Sequence, residues 1–270
     1  MKIVTLCENR LEPCFQLKAS HGISLFIETD DYKILYDVGQ DNVYFENAKL
    51  LGVDIESADA IVISHGHLDH AGGLKYLKDL NKVIISAESF KDKVRLNNGK
   101  EMDIGISVKL TQFQYLGKSI NKSFKIHEGI WCIANVNLTS QYQCMEKGLC
   151  EKDEDGVVRE DSFSDELNLA IETSDGLYVI SGCAHKGVIN ILREAQEVTG
   201  VNKIHTFIGG MHLNFANEKQ IQNVLLELKK FNISRYVVGH CTGFEAITMM
   251  KAIMGTETEI VNNYVGYCFN

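Results

Sequence analysis

Short apolar runs separated by turn-forming residues recur along the whole chain. In the first third, such runs predict β-strands at Lys2–Cys7, Ile23–Glu28, Lys33–Asp37, Ala60–Ser64 and Lys82–Ser86. Further on, Leu167–Glu172 and Leu177–Ser181 are joined across Ser174-Asp175-Gly176. Asp-Gly between two apolar runs is typical of a β-hairpin, so we predict an antiparallel pair of strands there.

Helical spacing alternates with strands in the second half. In Glu218–Phe231 the apolar residues fall on one helical face, at Ile221, Val224, Leu225 and Leu228. The predicted helices are Asn42–Leu51, Ala71–Leu80, Val188–Val198, Glu218–Phe231 and Phe244–Met254. The strands predicted between and after them are Lys203–Ile208, Arg235–Gly239 and Ile260–Cys268. Hairpins followed by alternating strands and helices predict an α/β fold, with two mixed sheets packed face to face and helices outside.

Composition favours one domain over two. A chain of 270 residues could form either, but it contains a single proline and no Gly/Ser/Pro-rich linker. We therefore predict one domain over residues 1–270. Residues 88–164 mix charged runs with short apolar pieces, and two interpretations stay open. This segment is either a solvated insertion or a functional element, such as a substrate lid or a subunit contact.

The net charge of −9 disfavours a nucleic-acid partner. An extended nucleic-acid surface needs clustered Lys and Arg, and the sequence has no such cluster, so we expect no nucleic-acid partner. No apolar run reaches the roughly 18 residues of a membrane span, and the apolar stretch at the start is too short for a signal peptide. We expect a cytoplasmic protein whose eight cysteines are mostly free thiols.

The clearest chemical signal follows the strand predicted at Ala60–Ser64. Three histidines and one carboxylate fall close together, at His65, His67, Asp69 and His70. Neutral imidazoles and a carboxylate are good ligands for divalent transition metals, and a loop at a strand end can place them around one or two ions. The alternative is a polar surface loop that happens to be rich in histidine.

This His-x-His-x-Asp-His motif after an apolar strand resembles the signature of the metallo-β-lactamase superfamily. Two further pieces match in order and separation, namely Asp37 after an earlier strand and His240 after a late one. The resemblance implies an αββα sandwich (α/β class, α+β by some definitions) and two divalent metal ions, with zinc favoured over manganese or iron. The ligands that it implies are His65 and His67 for the first ion and Asp69, His70 and His240 for the second.

Four further stretches resemble one subgroup of this superfamily: His21–Leu25, Ser181–Asn190, Gly209–Leu213 and His240–Gly243. That subgroup contains the 7,8-dihydropterin-6-yl-methyl-4-(β-D-ribofuranosyl)aminobenzene 5′-phosphate synthases of methanopterin synthesis. The resemblance implies a phosphorylated or pterin-type small molecule as substrate, without fixing which one.

Two positions depart from the superfamily pattern. Glu166 stands where most members have another metal-binding histidine, and Cys183 stands where they have a bridging aspartate. We therefore predict that His185 supplies the missing ligand. Cys183 is then a soft ligand or a packed thiol, and Glu166 an acid–base group or a ligand. Fewer carboxylates would leave the ions more positive, which favours an anionic substrate.

The remaining candidates lie near strand ends. We predict that His212 contacts substrate or transfers a proton, with metal binding or a structural role as alternatives. His21 contacts substrate or makes a structural hydrogen bond. Lys186 and the N–H groups of its loop bind an anion or merely form a turn. Asp37 orients a ligand histidine or caps a turn, and Asp69 is both a ligand and catalytic.

These assignments combine into one functional hypothesis. The six predicted metal ligands converge at a loop edge, where two ions and an activated water give a metal-dependent hydrolase or a hydrolase-like enzyme. Its partner would be a small anionic molecule. Two alternatives stay open: a di-iron redox protein of the same fold, and a non-catalytic binding protein.

Overall fold

Buried apolar side chains form two clusters, and the contacts divide the chain into two corresponding units. The computed structural model describes residues 1–13, 16–106, 120–138, 146–153 and 155–269. Unit 1 comprises Met1–Ile120, Lys147–Asp165 and Tyr264–Asn270. Unit 2 comprises Asn121–Glu146 and Glu166–Asn263. Within these described residues, unit 1 has two sheets and unit 2 has one, and each unit has its own apolar core.

Unit 1 contains a six-stranded sheet made of β1 (Lys2–Cys7), β2 (Ser24–Glu28), β3 (Lys33–Tyr36), β4 (Ala60–Val62), β5 (Val83–Ile84) and β17 (Cys268–Phe269). These strands lie in the order β17-β1-β2-β3-β4-β5. A four-stranded sheet consists of β6 (Lys93–Asn97), β7 (Lys100–Asp103), β10 (Leu149–Lys152) and β11 (Val158–Glu160). The helices of this unit are α1 (Val43–Leu51) and α2 (Leu68–Ala71).

Parallel pairing places the first candidate residues at one edge of the six-stranded sheet. Strands β3 and β4 are parallel, with Tyr36 opposite Val62, so their carboxyl ends reach the same edge. Asp37 follows β3, and its N–H donates to the carbonyl oxygen of Val62 (2.9 Å). The residues that follow β4 therefore begin beside Asp37.

Unit 2 contains a seven-stranded sheet made of β8 (Phe124–His127), β9 (Ile130–Ala134), β12 (Leu167–Thr173), β13 (Gly176–Ser181), β14 (Ile204–Gly209), β15 (Arg235–Val238) and β16 (Glu259–Asn262). The strand order is β16-β15-β14-β13-β12-β9-β8. The helices of this unit are α3 (Val188–Thr199), α4 (Glu218–Lys229) and α5 (Phe244–Met254), and all of them supply side chains to its apolar core.

The strand directions in unit 2 bring three strand ends to one edge. Strands β12 and β13 are antiparallel, with Thr173 opposite Gly176, which confirms the predicted hairpin. Strands β13, β14, β15 and β16 are mutually parallel, so the segments after Ser181, Gly209 and Val238 leave at the same edge. These segments carry the candidate residues of the second half, and the predicted α/β class is confirmed.

The prediction of a helix over Ala71–Leu80 is wrong. The α-helix ends at Ala71, and a 3-10 turn over Gly72–Tyr76 follows. A Cβ at Gly73 would lie 2.1 Å from the carbonyl oxygen of Val38. This backbone packs directly against the loop after β3, and that contact takes the place of a continued helix.

The single strand predicted over Ile260–Cys268 is also wrong. The chain forms two separate strands here. The strand Glu259–Asn262 pairs with β15, and the strand Cys268–Phe269 pairs with β1 in a different sheet. Between them lies a turn in which Gly266 has φ 87°. Its N–H donates to the carbonyl oxygen of Thr5 (2.8 Å), so the chain changes its pairing partner at this turn.

The segment at residues 88–164 contributes strands to both units. Strands β6, β7, β10 and β11 form the four-stranded sheet, and β8 and β9 extend the seven-stranded one. Ile130, Cys132 and Ile133 of β9 are buried, so this part is core and differs from a solvated insertion. The predicted lid falls partly on residues 107–119 and 139–145, outside the described residues. Within the described ranges, no helix combines the length and hydrophobicity needed to cross a membrane.

Candidate metal-binding site

The loop after β4 brings two predicted ligands into direct contact. The Nε2 atom of His65 lies 3.0 Å from Nδ1 of His67, and both side chains are buried. A Cβ at Gly66, between them, would lie 2.1 Å from the carbonyl oxygen of Ser89. Only glycine allows the loop to pack this closely against the neighbouring backbone.

Burial keeps both of these imidazoles neutral. The pKa of His65 lies well below its usual value because burial disfavours the cation and the nearby His70 and His67 add to that effect. Burial likewise lowers the pKa of His67 to about 3. The neutral ring is the form in which imidazole binds a metal ion, so the donor atoms fit the predicted ligand role.

The buried carboxylate of Asp37 contacts the His70 ring. The Asp37 Oδ2 atom lies 2.6 Å from Nδ1 of His70. The N–H and Oγ of Ser64 donate to the two carboxylate oxygens of Asp37, at 2.6 and 2.7 Å. Asp37 therefore fixes the His70 ring through Nδ1 and leaves Nε2 as the atom for a ligand. This geometry is typical of a carboxylate that orients a metal-binding histidine.

Asp69 connects His70 with His21. Its Oδ2 lies 3.7 Å from Nε2 of His70 and 3.2 Å from Nε2 of His21, whose side chain is 61% exposed. A Cβ at Gly22 would lie 2.0 Å from the carbonyl oxygen of Asp69. The His21-Gly22 segment thus packs on the ligand loop, and His21 is placed at its exposed end.

A buried ion cluster in unit 1 has no counterpart in the sequence predictions. Lys93 Nζ lies 2.8 Å from Asp161 and 3.0 Å from Asp165. Asp165 also accepts the N–H of Gly66 (2.7 Å). Burial alone would lower the pKa of Lys93, but the two carboxylates raise it above its usual value. A charged lysine thus holds the carboxylate that binds the loop between His65 and His67.

The second group of candidates lies at the edge of the seven-stranded sheet. Cys183 and His185 follow β13, and His212 follows β14. One ligand atom from each of these three residues lies within 4.8 Å of the other two. The rings of His185 and His212 are 4.3 Å apart between centroids. All three side chains are buried.

Glu166 binds the backbone of the loop that carries His185. Its two carboxylate oxygens accept the N–H of His185 (2.5 Å) and the N–H of Lys186 (3.0 Å). These N–H groups were candidates for binding an external anion, and in the structure they bind Glu166. The Glu166 carboxylate therefore stabilises this loop. Of the predicted anion-binding groups, only the charged side chain of Lys186 is not accounted for by Glu166.

A second buried carboxylate faces His212. The Oε2 atom of Glu146 lies 2.8 Å from Nε2 of His212, and their side chains are 6% and 7% exposed. Glu146 belongs to the segment for which a lid or an insertion was predicted. It engages Nε2 of the ring, and the His212 side chain also hydrogen-bonds with Cys241.

His240 and Cys241 follow β15 and face Cys183. One nitrogen of His240 and the sulfur atoms of both cysteines all lie within 4.8 Å of one another. Burial would raise the pKa of Cys241, but a hydrogen bond with Cys183 and the neighbouring His240 and His212 hold it well below its usual value. The Cys241 thiol is thus as much a part of this group as the predicted His240.

Several of these residues have left-handed backbones. The φ angle is 55° at Asp37, 58° at Ala184, 50° at His212 and 47° at His240. Such values are uncommon outside glycine and cost free energy that the surrounding structure must supply. Each of the four lies just after a strand end, so the fold holds these turns in unfavourable conformations to aim the side chains.

The predicted residues therefore assemble as one group in each unit. Unit 1 brings together His21, Asp37, His65, His67, Asp69 and His70. Unit 2 brings together Glu166, Cys183, His185, Lys186, His212 and His240. Five further residues in these groups were not predicted from the sequence: Lys93, Asp161, Asp165, Glu146 and Cys241. Of these, only Cys241 carried a signal, since it directly follows the predicted ligand His240.

Comparisons with known proteins show what the chain as a whole is similar to. Residues 19–116 match the family model of the metallo-beta-lactamase superfamily. The chain is 31% identical over 265 residues to 7,8-dihydropterin-6-methyl-4-(beta-D-ribofuranosyl)-aminobenzene-5'-phosphate synthase of Methanocaldococcus jannaschii, covering 92% of this chain and 90% of that protein. It is 32% identical over 240 residues to an uncharacterised protein of the same organism, covering 87% of this chain and 89% of that one.

A solved structure is similar over the full length. It is a crystal structure of a metal-dependent hydrolase of the beta-lactamase superfamily, with a TM-score of 0.86 and 28% sequence identity. The similarity covers 100% of this chain and 98% of that one.

Proposed function

Since the chain belongs to the metallo-β-lactamase superfamily, we propose that it is a metal-dependent enzyme that binds two divalent ions, zinc in preference to manganese or iron. The reaction is hydrolysis or a hydrolase-like conversion of a small anionic molecule. Bound ions would supply Lewis acidity and a water of lowered pKa. The proposed ligands are His65, His67, Asp69, His70, His185 and His240.

The contact between His65 and His67 carries this proposal. Two imidazole nitrogens on one tetrahedral zinc ion lie about 3.3 Å apart, and the facing nitrogens of this pair are 3.0 Å apart. Both rings are buried and neutral. Neutral imidazole nitrogens at this spacing are donors that a zinc ion takes, so a metal ion bound by the two facing nitrogens would suit this donor set.

Three carboxylates of the chain, Asp37, Glu166 and Glu146, position the proposed ligand and acid–base residues. Asp37 holds His70 by Nδ1 (2.6 Å), and Glu166 holds the loop of His185 by its N–H (2.5 Å). Glu146 fixes the orientation of the His212 ring through Nε2 (2.8 Å). We propose His212 as the acid–base group, with Asp69 both ligand and catalytic residue.

The substrate class rests on similarity and charge. One relative is named 7,8-dihydropterin-6-methyl-4-(beta-D-ribofuranosyl)-aminobenzene-5'-phosphate synthase. A second protein of that organism is equally similar to this chain and has no assigned activity. Similarity at this level therefore supports a phosphorylated or pterin-type substrate as a class, and His21 and Lys186 are the proposed contacts for it.

The test combines metal content with activity. Protein purified anaerobically should contain two transition-metal ions per chain by mass spectrometry. After chelation it should lose activity towards a panel of phosphodiesters, lactones and dihydropterins, and regain activity with metal. His67→Ala should lose one ion, whereas the control His127→Ala, on β8, should keep both. A parent protein that binds no metal, or a His67→Ala variant with full metal content and rate, would refute the proposal.

A further inference from the structure

Two thiols meet in unit 2 although their strands are not neighbours. Cys183 follows β13 and Cys241 follows β15, and β14 lies between these two strands. The Cys241 sulfur nevertheless lies 3.6 Å from the carbonyl oxygen of Cys183. The two sulfur atoms lie within 4.8 Å of each other and of a nitrogen of His240. The thiol of Cys241 thus passes over the end of the intervening strand.

Gly210, at the end of that intervening strand, makes the contact possible. A Cβ on Gly210 would lie 2.4 Å from the Cys241 sulfur and 2.6 Å from the carbonyl oxygen of Gly182. Real Cβ atoms do not approach other atoms so closely. The space that any other residue would fill at position 210 is therefore occupied by the Cys241 thiol, beside the loop that carries Cys183.

The surroundings of these thiols differ from those of a thiol packed in the core. Cys132, on β9, is also buried in unit 2, and burial alone raises its pKa to about 12. Its cross-strand neighbours are Leu169 and Phe124. Cys183 and Cys241 instead share their site with histidine side chains. Among the cysteines that the structure describes, they alone belong to a group of three or more potential ligands.

We propose that Cys183 and Cys241 act together with His240 as a two-sulfur ligand set for one of the metal ions. The inference rests on the metal-dependent function proposed above and adds the chemical character of one ion site. On binding, both S–H bonds break, two metal–sulfur bonds form and two protons pass to solvent. Sulfur ligands favour zinc or ferrous iron over magnesium or manganese.

Cobalt(II) tests this directly, because thiolate ligands give it an intense near-ultraviolet charge-transfer absorption. Metal-free, reduced protein titrated with cobalt should develop that band. Cys183→Ser and Cys241→Ser should each remove roughly half of it, and the double variant should remove all of it. Gly210→Ala should weaken the band, since its Cβ competes with the Cys241 sulfur. Cys132→Ala is the matched control and should leave the band unchanged.

Two results would overturn the inference while leaving the proposed function standing. The first is two bound cobalt ions without any charge-transfer band. The second is a band that survives in the double variant. A protein that binds no cobalt, zinc or iron at all fails the proposed function, and the inference fails with it. The outcomes therefore separate the two proposals.

A second measurement needs no variant, so it tests the inference even if the cysteine variants do not fold. In the unmodified zinc-loaded protein, Cys183 and Cys241 should resist alkylation, and chelation should make both reactive, as read by peptide mass spectrometry. The exposed Cys268 of β17 should react in both states. Alkylation of Cys183 and Cys241 at equal rates with and without zinc would contradict the two-sulfur ligand set.

Discussion

The two units build their candidate ligands in opposite ways. In unit 1 the candidate ligands lie close together in the chain, since His65 and His67 are in the loop after β4 and His70 is in α2, which follows that loop. In unit 2 they come from separate strand ends, with Cys183 after β13 and Cys241 after β15. The first arrangement is visible as a motif. The second exists only because parallel strands release their carboxyl ends at one edge of a sheet.

The units also differ in their donor atoms. Unit 1 offers imidazole nitrogens and the carboxylate of Asp69, whereas unit 2 adds two sulfur atoms. In both units buried carboxylates stand behind the ligand loops: Asp37 and Asp165 in unit 1, Glu166 and Glu146 in unit 2. In each unit, therefore, buried carboxylates contact the candidate ligands or the backbone next to them.

The largest expected effect comes from removing Asp69, the proposed carboxylate ligand in unit 1. Asp69→Ala should abolish turnover of any accepted substrate and leave the fold intact, because Asp69 lies in the short helix α2 and contributes nothing to the apolar core. Steady-state kinetics and circular dichroism measure the two effects. Asp175→Ala, at the exposed hairpin turn, is the control. Unchanged turnover after metal is restored would remove Asp69 from the site, and loss of folding would show that the ion also stabilises structure.

A smaller loss of rate is expected in unit 2. His212→Ala should keep near-normal metal content and lose about 10²- to 10⁴-fold in rate, the usual contribution of one acid–base group. Metal content and rate are measured on the same sample. One ion fewer than in the parent would make His212 a ligand, as its place beside Cys183 and His185 also allows. Unchanged values of both would make it structural.

The buried ion cluster of unit 1 should determine stability. Lys93→Met leaves Asp161 and Asp165 buried without their cation, and breaking such a pair costs about 3–5 kcal/mol of unfolding free energy. Urea denaturation of the metal-free protein measures this loss. Lys125→Met removes a half-exposed lysine paired with Glu128 and should change stability little. Equal midpoints for the two variants would mean that the cluster is not needed to hold the loop.

The smallest effect is expected from the support behind His70. Asp37→Asn keeps the shape of the side chain but removes the charge that faces Nδ1 (2.6 Å). Such changes typically weaken metal binding about 10- to 100-fold, which competition with a chromophoric chelator can measure. Asp59→Asn, on the surface, accepts only a backbone N–H of Lys33 among the contacts described and serves as control. Equal affinities in both variants would leave Asp37 with a turn-capping role.

The sequence alone predicted most strands and helices, because apolar periodicity follows from which faces are buried. It failed where tertiary contacts override local preference. Ala71–Leu80 has helical spacing, yet Gly73 packs against Val38 and the helix stops early. The strand predicted after Ile260 divides because its two ends pair with different sheets.

For the candidate site, the sequence identified the candidate ligands that are close together in the chain, and it marked His185, His212 and His240 by their places after predicted strands. Only the tertiary structure placed Glu146 behind His212, Asp165 against Gly66 and the thiol of Cys241 in the space left by Gly210. The physical reason is separation along the chain. Which distant strand ends meet depends on strand order and direction, and local periodicity contains neither.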